Sequence, residues 1–220
     1  YIEIIKQDKD YSNIKLENVE FKILNSKGVV VDTLTTNKDG YAKSKALPLN
    51  DTYTIKETKK GANYILSTDI QKVTFIPTDE GKTKKLTFTN KHEEGSLKIV
   101  KVDSRDHKTP IKNVTFEIWN VELNKKVATK TTGEDGTITI DNLRTGKYKV
   151  KETSTNEWYV LNTEEKITTV EYNKTTTLTI ENDVKVGYIE IIKQDQDYSN
   201  IKLENIEFKI LNSKGVVVDT

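Results

Sequence analysis

Hydrophobic and polar residues alternate with a period of two along most of this chain, which is the pattern of β-strands that bury one face. Residues 18–23 read NVEFKI and residues 113–118 read NVTFEI, so that Val, Phe and Ile share one face in both runs. Asp-Gly pairs at 39–40 and 135–136 are typical turn sequences between such runs. About seven short strands in each stretch of about 90 residues predict an all-β chain of tandem antiparallel β-sandwiches.

The sequence also repeats itself at two lengths. Residues 188–220 reproduce residues 1–33, with Gln196 in place of Lys9 and Ile206 in place of Val19. A weaker repeat has a period of about 95 residues, as expected of tandem domains. We therefore predict three segments: a complete domain at 1–94, a second complete domain at 95–187, and the truncated start of a third domain at 188–220. The joints lack Gly/Ser or Pro runs, so we expect limited freedom between domains.

Composition narrows the classes of function. The 35 Lys and Arg balance 34 Asp and Glu, which gives no reason to expect nucleic acid as a partner. No run approaches the roughly 18 apolar residues of a membrane span, so we expect no membrane insertion. There is no Cys, and His92 and His107 lack metal-ligand spacing and are interpreted as solvated surface residues. We expect no cofactor and no metal, and interpret the acidic residues in 8–10 and 103–106 as turn caps.

Three polar residues in each predicted domain occupy positions where the alternation requires hydrophobic residues. Each set has a Lys on the first strand, a Glu on a middle strand and an Asn on the last strand. The first set is Lys6, Glu57 and Asn90, and the second set is Lys101, Glu152 and Asn182. A buried charge costs several kcal/mol unless it is paired, so the coincidence in both domains requires an explanation.

The residues alone leave three interpretations open. The Lys and Glu form a buried ion pair with the Asn hydrogen-bonded beside it, or each residue lies near a strand end and reaches water. The third interpretation is covalent, since burial favours the neutral forms of an amine and a carboxylic acid. The amine then attacks the carboxamide carbon, while the acid polarises the carbonyl and passes protons to the departing ammonia. The product is an amide between Lys Nζ and Asn Cγ.

The order of the motifs adds a family resemblance. The segments YIEIIKQD and GSLKIVKVD open the two domains, NVxFxI and an Asp-Gly turn follow, YTIKET and YKVKET come next, and LTFTN and LTIEN close them. Together they resemble the B-type repeat domains of Gram-positive surface adhesins and pilins, the Cna-B or SpaA-like family. The resemblance implies a prealbumin-like, inverse-immunoglobulin β-sandwich that often carries a Lys–Asn isopeptide bond promoted by an acidic residue.

The family roles transfer to this chain residue by residue. The resemblance implies that Lys6 and Lys101 are the amines, Asn90 and Asn182 the carboxamides, and Glu57 and Glu152 the promoting carboxyls. Lys193 corresponds to Lys6, but no Glu or Asn partner follows it in its own segment, so we expect it to remain unpaired.

Three classes of function follow, and the first is favoured. The resemblance implies a structural stalk or repeat region of an adhesin or pilin, extracellular and anchored to the cell wall of a Gram-positive bacterium, with neighbouring repeats as partners. The alternative is a module that itself binds host matrix protein or glycan. Trp158 and Tyr159 bear on that alternative, but we interpret them as packing near a strand end. A transthyretin-like enzyme is disfavoured by the shortage of His, Arg and Cys, so we expect no turnover.

Overall fold

The computed structural model describes all 220 residues, which divide into two compact units, Tyr1–Val184 and Lys185–Thr220. The larger unit contains two β-sandwiches in succession, and its only helical element is the single 3-10 turn Pro77–Asp79. None of the helical structure has the length and the hydropathy that a membrane-spanning helix needs.

The first sandwich is built from seven strands in two sheets. The strands are β1 (Ile2–Asp8), β2 (Glu20–Leu24), β3 (Val30–Thr35), β4 (Tyr41–Lys43), β5 (Asp51–Lys59), β6 (Ile70–Phe75) and β7 (Lys84–Asn90). One sheet has the order β4-β1-β7 and the other the order β3-β2-β5-β6. The side chains that alternate along β1, β2 and β5 meet between the two sheets and form the core.

The second sandwich repeats this arrangement. Its strands are β8 (Glu94–Asp103), β9 (Thr115–Asn120), β10 (Lys125–Thr131), β11 (Thr137–Arg144), β12 (Gly146–Ser154), β13 (Lys166–Val170) and β14 (Thr175–Asn182). The sheets have the orders β11-β8-β14 and β10-β9-β12-β13. The predicted all-β fold with about seven strands in each sandwich is therefore confirmed.

One pairing in each sandwich departs from the antiparallel pattern. The first and last strands run parallel, with Lys6 opposite Phe88 in the first sandwich and Lys101 opposite Ile180 in the second. Side chains two residues apart on a strand share a face, so Asn90 lies one step beyond Phe88 on the face that Lys6 uses. This parallel register brings the two ends of each sandwich's chain side by side.

The cores are formed by the residues that the alternation selects. Phe21, Ile23 and Tyr53 in the first sandwich are at most 1% exposed, as are Phe116 and Tyr148 in the second. Each such side chain contributes about 1.5–3 kcal/mol by leaving water. The cores therefore contain enough apolar area to hold a few polar side chains away from solvent.

The smaller unit, Lys185–Thr220, has little regular structure. It contains the short antiparallel pair β15 (Ile210–Leu211) and β16 (Val217–Asp219). Lys193 is exposed in this unit, lies outside any strand and has no carboxylate partner.

Candidate functional site

The three polar residues of the first sandwich lie on strands from both sheets. Lys6 is on β1 and Asn90 ends β7, so the parallel pairing places them on one sheet. Glu57 is on β5 of the opposite sheet and points into the same space, because it continues the buried face of Tyr53 and Ile55. The sandwich thus brings together three residues that are far apart in sequence.

These side chains contact one another in a closed triangle. Lys6 Nζ donates a hydrogen bond to Asn90 Oδ1 and lies 2.7 Å from Glu57 Oε2. Asn90 Nδ2 donates to Glu57 Oε1 over 2.7 Å. The carboxyl group therefore contacts both the amine nitrogen and the amide nitrogen, one with each oxygen.

The second sandwich holds the same triangle. Lys101 Nζ donates to Asn182 Oδ1 over 2.6 Å and lies 3.0 Å from Glu152 Oε2. Asn182 Nδ2 donates to Glu152 Oε1 over 2.7 Å. It also donates to Thr155 Oγ1 over 3.1 Å, a contact that has no counterpart in the first sandwich.

Both triangles are buried. The side chains of Lys6 and Glu57 are 0% exposed, Lys101 is also 0% exposed, and the two Asn residues are at most 2% exposed. The interpretation in which each residue reaches water at a strand end is therefore wrong. The parallel pairing of the first and last strands continues to the last residue of β7 and β14, so Asn90 and Asn182 still lie within a sheet.

Burial also shifts the protonation equilibrium of each amine. Removal from water lowers the pKa of Lys6, and the neighbouring Glu57 carboxylate only partly opposes this shift. The pKa of Lys101 is lowered for the same reason, against the opposing effect of Glu152. A lowered pKa increases the fraction of neutral amine, which is the nucleophilic form.

The walls of the two sites differ. Lys6 Nζ lies 5.7 Å from the centre of the Phe21 ring and 6.0 Å from that of Phe88, and the two rings are 4.9 Å apart. In the second sandwich the residue opposite the Lys is Ile180 instead of Phe88. Both walls are apolar, so neither offers a further polar partner to the amine.

A buried Asp at the end of each first strand was interpreted only as a turn cap. Asp8 does cap its turn, because Oδ1 accepts hydrogen bonds from the backbone amides of Asp10 and Tyr11. Its other oxygen, Oδ2, accepts from the hydroxyl of Tyr64 at 2.8 Å and from Arg144 at 2.8 Å. The period of two would have found this residue, since Asp8 shares the face of Lys6.

Two single-residue predictions need correction. His92 was expected to be solvated but is 5% exposed, because its ring packs edge-on against Tyr64 with centres 4.8 Å apart. His107 is exposed, as predicted. Trp158 was expected to pack near a strand end but is 69% exposed, whereas Tyr159 donates from its hydroxyl to Asp103 over 2.9 Å. No group of three or more His, Cys, Asp or Glu is arranged to hold a metal ion.

Comparison with known proteins supplies a family. The family model described as "SpaA: Prealbumin-like fold domain" matches residues 1–92 and again residues 95–184. Comparison with curated proteins gives no match.

Solved structures give further matches. The TIE protein of Bacillus anthracis is 33% identical over 82% of this chain and 33% of its own, with a TM-score of 0.60. A streptococcal ancillary pilin is 24% identical over 84% of this chain and 62% of its own, with a TM-score of 0.42. GBS52, the minor pilin of Streptococcus agalactiae, is 22% identical over 86% of this chain and 98% of its own, with a TM-score of 0.43. The present chain thus spans about a third of the length of the TIE protein.

Proposed function

Because the chain belongs to the family of SpaA prealbumin-like fold domains, we propose that it forms a structural stalk segment of a surface pilin or adhesin. Domains of this family are structural and are not enzymes. We propose domain boundaries at 1–94 and 95–187, with 188–220 as the start of a further repeat. In this proposal the neighbouring repeats are the partners, and the segment lies outside a Gram-positive cell, attached to its wall.

Each complete domain is closed by an isopeptide bond in this proposal. The neutral Nζ of Lys6 attacks Cγ of Asn90, so that a bond forms between Nζ and Cγ while the bond between Cγ and Nδ2 breaks. Glu57 receives the proton that Nζ loses and delivers a proton to Nδ2, which leaves as ammonia. Lys101, Asn182 and Glu152 perform the same step in the second domain. The reaction occurs once in each domain and does not turn over.

The contact of one carboxyl group with both nitrogens is the observation that carries the proposal. Glu57 meets Lys6 through Oε2 and Asn90 through Oε1, which is the arrangement a proton shuttle between two nitrogens requires. Amides are poor electrophiles, so the reaction depends on this proximity and on a site without water. The triangle recurs in the second sandwich despite its different wall, which supports a chemical role over simple packing.

The bond gives the segment a mechanical role. Tension along a tandem array enters a domain at its first strand and leaves at its last, and the proposed bond joins those strands. Lys6 and Asn90 are 84 residues apart, and Lys101 and Asn182 are 81 residues apart. By analogy with disulfides, closing such a loop stabilises the folded chain by about 4–5 kcal/mol. A chain without Cys thereby acquires a cross-link that reductants do not cleave.

Intact-mass measurement tests this proposal directly. We expect the full chain to lack two ammonia molecules relative to its sequence, and fragment spectra to identify one Lys6–Asn90 peptide and one Lys101–Asn182 peptide. The full sequence mass, with neither cross-linked peptide present, would contradict the covalent proposal and leave a buried ion pair.

An observation on the second sandwich favours a second function. Trp158 is 69% exposed there, and the corresponding residue of the first sandwich is Asn63. A large exposed aromatic side chain on one domain type suits a module that binds host matrix protein or glycan. Binding of the full chain to matrix proteins and to a glycan array, compared with a Trp158→Ala variant, tests it. Binding that requires Trp158 would support this function, and absence of binding would leave the structural role alone.

A further inference from the structure

The joint between the two sandwiches contains a buried ion pair. Arg144, the last residue of β11 in the second sandwich, donates from Nη2 to Oδ2 of Asp8 in the first sandwich over 2.8 Å. The Asp8 side chain is 0% exposed and that of Arg144 is 15% exposed. Two charges this far from water need each other and further hydrogen bonds. Asp8 has both, and Arg144 bonds through Nη2, while its buried Nη1 has no hydrogen-bond partner.

The receiving site in the first sandwich is built around the guanidinium group. Tyr64 donates its hydroxyl to Asp8 Oδ2 over 2.8 Å and fixes the carboxylate from one side. The Tyr11 ring also contacts the guanidinium group, with its centre 5.2 Å from the Arg144 guanidinium carbon. A planar cation that contacts both a carboxylate and an aromatic ring is a setting in which Arg cannot be replaced by Lys without loss.

Two further contacts fix the same joint. The backbone amide of Thr145 donates to the carbonyl oxygen of Glu93 over 2.9 Å. Lys125 of the second sandwich places its ammonium group 5.5 Å from the centre of the Tyr11 ring. Arg144 is therefore one of several contacts across the joint and not an isolated surface pair.

The second sandwich satisfies its equivalent Asp without help from outside. Asp103 accepts from Arg105 Nη2 at 2.8 Å through Oδ2, from Arg105 Nε at 3.0 Å through Oδ1, and from the Tyr159 hydroxyl at 2.9 Å. These are the only two arginines in the chain. Both thus pair with the same structural position, one from within its own sandwich and the other across the joint.

The sequence explains why the two sandwiches differ. Asp8 and Asp103 are equivalent positions. Two residues after them, the first sandwich has Asp10 and the second has Arg105, and three residues after them, the first has Tyr11 and the second has Asp106. The first sandwich also has no basic residue where the second has Arg144, since that stretch reads Pro48-Leu49 before Tyr53. The first sandwich can therefore receive an arginine but cannot supply one.

We propose that the Asp8–Tyr11–Tyr64 site is a docking site for the arginine of a following domain of the second type, so that unlike neighbours lock together in one order. First-type domains carry the Asp and Tyr of positions 8 and 11, and second-type domains carry both arginines. Residues 188–220 repeat Asp8, Asp10 and Tyr11 as Asp195, Asp197 and Tyr198 and are of the first type. A first-type domain followed by a second-type domain forms a stiff pair, whereas Asp103 leaves no acceptor for a domain that follows it.

Distance measurements between two spin labels on the full chain test the proposal. The chain has no Cys, so Lys56→Cys on β5 and Lys151→Cys on β12 provide one exposed label on each sandwich. We expect a single narrow distance distribution for the otherwise unchanged chain. Arg144→Ala should abolish the narrow maximum and broaden the distribution, because it removes the guanidinium group that pairs with Asp8 across the joint.

Arg105→Ala is the matched control, since it removes the other arginine without touching the joint, and it should leave the distribution narrow. Asp8→Asn removes the same contact from the opposite side and should broaden the distribution as Arg144→Ala does. A narrow distribution in both Arg144→Ala and Asp8→Asn, or equal broadening by Arg105→Ala, would overturn the proposal. If one joint variant fails to fold, as judged by circular dichroism, the other decides.

Discussion

The two sandwiches surround the same Lys–Glu–Asn triangle with different neighbours. The first triangle lies against Phe21 and Phe88, whereas Ile180 stands opposite the Lys in the second. The second triangle adds Thr155, whose hydroxyl lies 3.1 Å from Asn182 Nδ2. In both, the carboxyl group contacts the amine with one oxygen and the amide with the other. The contacts of the carboxyl group, which both triangles share, are thus the ones that the proposed reaction requires. The contacts that differ between the triangles can change the rate of that reaction.

The largest expected effect is loss of the carboxyl group from one triangle. We expect Glu57→Ala to retain the ammonia of the first sandwich and Glu152→Ala to retain that of the second. The affected sandwich loses about 4–5 kcal/mol of cross-link stabilisation, and its buried free Lys amine, which keeps only the contact with the Asn, lowers the stability further. Intact mass and a thermal melt measure the two consequences.

Each of these variants serves as a control for the other, because the untouched sandwich should keep its bond. Glu93→Ala is a further control, since Glu93 forms an ion pair with Lys60 outside either triangle. A Glu57→Ala chain that still lacks two ammonia molecules would show that Glu57 does not promote the bond.

The next largest effect is expected from acid, which should lower the stability of each sandwich by protonating its buried Asp. Burial by itself would raise the pKa of Asp8, but Arg144, Tyr64 and two backbone amides hold it below the ordinary value of 3.8. Arg105 holds the pKa of Asp103 well below the same value, against the effect of burial. A depressed pKa in the folded state contributes stability that is present above pH 3.8 and is lost as the pH falls below it.

Hydrogen exchange measured by mass spectrometry over a pH series resolves the two sandwiches. We expect Arg105→Ala to weaken the acid dependence of the second sandwich alone, and Arg144→Ala to weaken that of the first. An unchanged acid dependence of the second sandwich in Arg105→Ala would show that the Arg105–Asp103 pair does not set it.

A smaller effect is expected from Thr155, which is present at only one of the triangles. Its hydroxyl gives the amide nitrogen of Asn182 a second acceptor, which helps to orient the group that leaves as ammonia. Loss of one such hydrogen bond costs about 1 kcal/mol, so Thr155→Ala should slow bond formation in the second sandwich about fivefold. The fraction of uncross-linked Asn182 peptide after a short expression pulse measures this rate. The first-sandwich fraction in the same sample is the internal control, and equal fractions with and without Thr155 would contradict the role.

The sequence was sufficient for the strands and for the members of each triangle, because the period of two makes a Lys or Asn on an apolar face conspicuous. It could not provide the parallel pairing of β1 with β7, which depends on how the sheets close and determines whether Lys6 reaches Asn90. Nor could it provide Arg144 as a partner of Asp8, because contacts across a joint follow from the packing of one sandwich on the next.

The burial of His92 could not be predicted from the sequence either. It leads to the prediction with the smallest expected effect. Its ring packs on Tyr64, and Nδ1 contacts the Glu93 carbonyl oxygen at 2.8 Å. The charges of Arg144, Asp8 and Glu122 also act on the ring, Arg144 against its protonation and the two carboxylates in favour of it. Burial lowers the pKa of His92 below its ordinary value of 6.5, and the Glu93 carbonyl opposes this only in part. The neutral ring therefore contributes stability that is complete above pH 6.5 and decreases as the pH falls below that value.

The backbone pairs next to His92 provide the measurement. The Ile65 amide donates to the Lys91 carbonyl and the Glu93 amide donates to the Asn63 carbonyl, so both report on opening of this segment. We expect their exchange, corrected for the intrinsic pH effect, to increase modestly below pH 6.5 in the unchanged chain and to lose this dependence in His92→Gln. His107→Gln, at an exposed position, should behave as the unchanged chain does. Equal pH dependence with and without His92 would show that a group other than His92 causes the change.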